Sequence, residues 1–156
     1  MKLKEKNQTV CQVAEVKLVY KTKVKPCDRL QVRSSRHMAE VFRSVWDMEN
    51  IELREESKVM YLNRVNRILG IYPLSVGGVS GTVIDIKLVL IAALRLNATF
   101  ISICHNHPSG STRASRMDEL ATQKLQTAAR QLDIDLMDHI ILTKDDYFSM
   151  ADEGLI

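Results

Sequence analysis

The sequence predicts an α/β or α+β sandwich, and three observations carry that expectation. Some stretches alternate apolar and polar residues, as strands do. Others place apolar residues three and four apart, as helices do. The two kinds follow one another along 156 residues, a length that suits one domain. Chains of about 150 residues bury roughly 70% of the surface their unfolded form exposes, so a core can form without staples. With 46% hydrophobic and 26% charged residues the composition is that of an ordinary globular protein.

Val16, Leu18, Tyr20, Thr22 and Val24 alternate with Lys17, Val19, Lys21, Lys23 and Lys25. Period 2 predicts a strand with one buried face and one lysine-rich face, and Pro26 ends it. Ser34 and Ser35 can cap a helix whose apolar stripe is Met38, Val41, Phe42, Val45 and Trp46. Residues 48–57 are polar and acidic and read as a connector. Residues 59–62 and 67–71 read as two strands joined by a turn at residues 63–66. Gly77-Gly78 and Ser80-Gly81-Thr82 form a loop before a helix over residues 85–97, which is apolar on most sides and is expected to be largely buried. Residues 100–104 form a core strand and residues 105–114 a polar loop. A helix follows over residues 115–132, a strand over 136–143, and a last extended piece over 147–149.

No apolar run approaches the ~18 residues that span a bilayer, so no membrane association is expected. The charged N-terminus has no apolar segment after it and does not read as a signal peptide. Three widely spaced cysteines, Cys11, Cys27 and Cys104, form no C-x-x-C and fit a cytoplasmic protein. Charge is uneven: residues 1–36 hold ten Lys/Arg against three acids, the rest twelve against sixteen. The chain therefore divides into a basic leading segment, 1–33, and a globular part, 34–156. Lys17, Lys21, Lys23 and Lys25 are read as an edge protected by lysines. The alternative is a phosphate contact, although aromatic residues for base stacking are not interleaved with them.

One segment carries chemistry: Cys104-His105-Asn106-His107-Pro108-Ser109-Gly110, then Ser115-Arg116-Met117-Asp118. His105 and His107 are two apart at the end of a strand, so both imidazoles point to one side. Asp118 falls in the first turn of the next helix. Two imidazoles and one carboxylate with an open fourth position make a catalytic rather than a structural zinc set, and such an ion activates water and polarises a carbonyl. Ser115-x-x-Asp118 is also a capping-box spacing. The two roles are compatible, and the Ser115 hydroxyl can also face a developing oxyanion. Among neighbouring residues, Cys104 alternates to the opposite face and reads as core. His139, beside Asp138, reads as a structural histidine, with tuning of the site as the alternative. His37 lies on a polar helix side. Arg113 and Arg116 flank the site and can orient an acidic group or serve only as loop charges.

The run HNHPSG followed by Ser115-x-x-Asp118 resembles the JAMM motif of the JAB/MPN metalloproteases, and more closely the RadC group within them. The resemblance runs from about Ser34 to the end of the chain. It includes Gly77-Gly78-Val79-Ser80-Gly81-Thr82, Asn97-Ala98, Leu136-Met137-Asp138-His139 and Ala151-Asp152-Glu153-Gly154-Leu155. It implies a cytidine-deaminase-like α/β fold, with a central mixed sheet between helices, and Zn²⁺ held by His105, His107 and Asp118. It further implies Ser115 as a stabiliser of the tetrahedral intermediate and hydrolysis of a peptide or isopeptide bond in a peptide or protein substrate. A DNA-repair association comes with the RadC name, and with it a possible DNA-associated complex. The longer members carry an N-terminal helix-hairpin-helix region, for which this chain is expected to have no room.

Active members use a glutamate on an earlier strand as general base. Counting back from Gly77-Gly78, that position falls at Tyr72, and a phenol with a pKa near 10 is a poor base at neutral pH. Glu55, Glu56 and Asp85 are the acids that could substitute. The expectations are therefore a JAMM-type zinc hydrolase, a silent zinc-binding module that recognises a protein tail, or a DNA-binding accessory protein. Dimerisation through an open N-terminal strand is also compatible with the sequence.

Overall fold

The computed structural model describes residues 19–77 and 84–156. The expected loop at Ser80-Gly81-Thr82 and the start of the expected lysine strand, with Lys17, lie outside them. The element order is α1 (Ser35–Ser44), β1 (Glu56–Leu62), β2 (Ile68–Val76), α2 (Ile86–Leu96), β3 (Phe100–Asn106), α3 (Arg116–Arg130), β4 (Asp135–Leu142) and β5 (Tyr147–Ser149). The strands form one mixed sheet in the order β2-β1-β3-β4-β5. Only β3 and β4 are parallel, and α3 is the crossover between them.

Alternation along the strands splits the core in two. Val59, Tyr61, Ile101 and Ile103 face one way and pack with Val89 and Ala93 of α2 and with Leu125 and Ala129 of α3. Met60, Leu62 and Cys104 face the other way and pack with Met38 and Phe42 of α1 and with Trp46. The sheet is thus covered on both faces, as an α/β sandwich requires. Ser34 caps α1 by accepting from the His37 N–H. Asp85 caps α2 by accepting from the Lys87 and Leu88 N–H groups, and Asn97 ends that helix in the left-handed region at φ 51°.

Two expectations are corrected. Residues 19–25 form no strand: Tyr20, Thr22 and Val24 are exposed, so no buried face exists to reward the alternation. The segment is instead tethered by single bonds, from the Tyr20 hydroxyl to the Leu69 carbonyl and from Arg95 Nε to the Val19 carbonyl. Helix α2 is also less buried than its composition suggests. Val89 and Ala93 are buried, but Leu88, Ile91 and Leu94 are exposed, because only one side of α2 meets the sheet. Among the described residues no helix is long and apolar enough to cross a membrane.

Candidate metal centre

The site is built where the carboxyl end of β3 faces the start of α3. His105 lies in β3, and the His107 N–H continues the ladder by donating to the Leu142 carbonyl of β4. Extended backbone through both residues keeps their imidazoles on one side. The chain then turns, with Gly110 at φ 77°, a left-handed conformation that glycine adopts without penalty. It returns to Ser115, the N-cap of α3. The capping box is complete: Ser115 Oγ accepts from the Asp118 N–H at 3.2 Å, and the Ser115 N–H donates to Asp118 Oδ2 at 2.7 Å. The cap therefore also aims the Asp118 carboxylate.

Among the described residues, His105, His107 and Asp118 gather as a group able to hold a metal, each offering one ligand atom, all within 4.8 Å of one another. His105 Nε2 is 2.9 Å from His107 Nε2 and 3.3 Å from Asp118 Oδ1, and His107 Nε2 is 3.7 Å from Asp118 Oδ2. The far nitrogens are also occupied. His107 Nδ1 lies 2.8 Å from the Ser111 carbonyl, which can only accept, so Nδ1 carries a hydrogen. His105 Nδ1 meets His139 Nε2 at 2.7 Å.

The electrostatics suit a cation. Burial pushes the His105 imidazole down to about 4, so it stays neutral and keeps a lone pair. The hydrogen bond to Asp118 raises His107 against the opposing effect of burial, and the Glu55 charge adds to the rise. Burial alone would raise the Asp118 carboxyl. Hydrogen bonds from His107 and Ser115 and the nearby His105 outweigh it and hold the group well below the usual carboxylate range. Two imidazole nitrogens and a carboxylate held ionised converge on one point, and this donor set fits a divalent metal.

An acid that borders this site is not where counting from the glycines places it. Glu55 lines the same cavity as the three candidate ligands and Ser115, a space of about 980 Å³. It precedes Ser57 by two residues, and Ser57 is the Cα partner of His105, so β1 delivers Glu55 to the His105 face. Tyr72 is on β2, which is separated from β3 by β1. It pairs with Val59 and lines a second cavity with Tyr20 and Tyr61. The expectation that Tyr72 occupies the base position is thus corrected. Asp85 borders the site cavity, but its carboxylate caps α2. Glu56 turns to Arg54 and Lys58, at 3.0 and 3.5 Å.

Asn106 holds the Glu55 segment in place. Its Nδ2 donates to the Ile51 and Arg54 carbonyls at 2.6 and 2.9 Å, and its Oδ1 accepts from the Glu56 N–H at 2.7 Å. The residue between the two histidines therefore binds the backbone on both sides of Glu55. Of the other sequence candidates, Arg113 lines the cavity and Arg116 pairs with Glu119 at 2.8 Å. Cys104 is buried in the core of the opposite face, as its parity predicts.

A mixed α/β sheet with two histidines and a carboxylate gathered between a strand end and a helix cap defines an α/β domain with a candidate metal site. The chain matches the RadC-like JAB domain over residues 32–155 and belongs to that family. It is 42% identical over 101 residues to a UPF0758 protein of Flavobacterium johnsoniae, a stretch that is 65% of this chain and 44% of that protein. It is 37% identical over 103 residues to the UPF0758 protein YfjY of Escherichia coli, covering 66% of this chain and 64% of the relative. The E. coli UPF0758 protein YeeS is 36% identical over 112 residues, 72% of this chain and 75% of its own. The matched region thus spans under half the length of the Flavobacterium relative.

Proposed function

We propose that this chain is a zinc-dependent hydrolase of peptide or isopeptide bonds, with His105, His107 and Asp118 holding the ion. The observation that carries the reading is Glu55, a carboxylate in the same cavity as the three ligand candidates. A zinc ion bound there would supply water activation at neutral pH and polarisation of the scissile carbonyl. Glu55 accepts the proton of the attacking water and returns it to the leaving amine. Ser115 Oγ already accepts from the Asp118 N–H, so its own hydrogen remains to be donated to the oxyanion at the start of α3. Lys87, Arg113 and Lys124 border the cavity and favour a substrate with an acidic group near the cleaved bond. The alternative of a silent metal-binding module took Tyr72 as the residue in the place of the base, and Glu55 removes that ground.

The test uses the zinc-loaded chain with a panel of peptides and isopeptide-linked conjugates, beside Glu55→Gln. Cleavage is expected in the wild type, falling about 10²- to 10⁴-fold in the variant, with zinc per chain unchanged. No cleavage of any substrate by the zinc-loaded wild type, or equal cleavage by both proteins, would overturn the reading.

A further inference from the structure

A chain of hydrogen bonds through buried side chains runs behind the site from His105 to the backbone of Asp118. His105 Nδ1 lies 2.7 Å from His139 Nε2, His139 Nδ1 lies 2.6 Å from Thr122 Oγ1, and Thr122 Oγ1 lies 2.6 Å from the Asp118 carbonyl. His105, Thr122 and His139 are all buried. Each of these contacts needs one hydrogen between its two heavy atoms, since facing lone pairs at such distances repel. By the same rule the 2.9 Å contact of His105 Nε2 with His107 Nε2, on the metal side, takes its hydrogen from His107 in the metal-free protein. The carbonyl cannot donate, so the hydrogen on the last contact is that of the Thr122 hydroxyl. That hydroxyl has no second hydrogen, so the contact to His139 is made by a hydrogen on His139 Nδ1. Met150 Sδ, 3.4 Å from the same oxygen, is another acceptor and changes nothing. His139 is fully buried and its two ring nitrogens meet only Thr122 Oγ1 and His105 Nδ1, with no carboxylate to pair with a cationic ring. With hydrogen on Nδ1, its Nε2 is therefore a lone pair and the hydrogen shared with His105 belongs to His105 Nδ1.

We infer that Thr122 and His139 are positioning residues that fix His105 in the tautomer with Nδ1 protonated, so that its Nε2 lone pair always faces the candidate metal centre. The relay begins and ends on one residue. The Asp118 carbonyl sets the direction of the chain, and the Asp118 carboxylate stands opposite the nitrogen the chain prepares. The inference rests on the metal-site reading for its purpose, but the tautomer is a property of the metal-free protein. Partners of this kind behind a metal histidine carry about 10- to 100-fold in metal affinity in other sites.

The decisive measurement is the long-range ¹H–¹⁵N spectrum of the imidazoles in the metal-free, ¹⁵N-labelled full chain, where a protonated nitrogen and a bare one resonate far apart. His105 and His139 are both expected with hydrogen on Nδ1. Either ring carrying it on Nε2 would overturn the inference, whether or not the protein binds zinc. Zinc titration of Thr122→Val and Thr122→Ser supplies the second readout. The valine removes the hydroxyl at nearly constant shape and is expected to weaken zinc binding about 10- to 100-fold and to mix the His105 tautomers. The serine is expected to restore both. Valine and wild type behaving alike, in spectrum and affinity, would also overturn it. Should the valine variant not fold, the wild-type spectrum decides alone. A wild type with the expected tautomers but no zinc binding would instead refute the metal-site reading.

Discussion

Asn106 is flanked by both histidines of the candidate metal centre, yet its side chain serves a different strand. It satisfies two carbonyls and one N–H in the segment that carries Glu55. Removing it leaves buried backbone groups without partners, which costs about 1–3 kcal/mol. Asn106→Ala is therefore expected to lower stability by about that amount in urea denaturation while zinc per chain stays at the wild-type level. Loss of zinc with unchanged stability would mean that Asn106 supports the ligands rather than the Glu55 segment. The cluster of candidate ligands is legible in sequence, because His-x-His at a strand end and Asp at a capping-box position are local patterns. Glu55 is not, because its place depends on β1 pairing with β3 in a register that no local pattern reveals. Distance counted along the chain from Gly77 leads to β2, the wrong strand, and so to Tyr72.

At the scale of elements, one irregularity decides where His139 points. Ile101 pairs with Leu136 but Ser102 pairs with Asp138, so Met137 is an extra residue in β4. Strict alternation would put Leu136 and His139 on opposite faces. The bulge brings His139 to the face of Ile103 and His105, where it meets the site. Asp138 is thereby turned to the other side, where its buried carboxylate accepts from Ser149 Oγ at 2.7 Å and from the Ala151 N–H at 3.1 Å, fastening the C-terminal turn to the sheet. Burial raises its pKa, with these hydrogen bonds opposing. A carboxyl whose folded pKa lies above its unfolded value binds more protons folded than unfolded between the two. Stability then falls as pH rises through that window, which opens near pH 4, and stays lower above it. Asp138→Asn keeps an oxygen for Ala151 and can donate to Ser149, without the titration. Urea denaturation from pH 4 to pH 8 is expected to show the variant gaining on the wild type as pH rises. Parallel profiles would show that burial imposes no such cost. Helix α2 shows the converse limit of sequence reading: a nearly all-apolar segment does not declare which of its sides will meet the sheet.

Over the whole molecule, the candidate metal centre joins parts that the core has already assembled. The core residues of α3, Leu125 and Ala129, pack on the sheet face formed by Val59, Tyr61, Ile101 and Ile103. They lie at least seven residues beyond Asp118 and hold the helix without help from the site. A cation there ties the start of α3 to the end of β3, but it is not needed to create either element. This differs from small zinc domains, whose metal-binding energy is their folding energy. The protein stripped by a chelator is therefore expected to keep its far-ultraviolet circular dichroism and a cooperative thermal transition. Zinc at about 100 times its Kd then stabilises by roughly 2.7 kcal/mol, which for a domain of this size raises Tm by about 5–10 °C. His107→Ala removes one of the three ligand candidates and is expected to abolish the shift while leaving the stripped protein folded. A stripped wild type without cooperative unfolding would place the metal among the elements that build the fold. An equal zinc shift in His107→Ala would place the binding elsewhere on the chain.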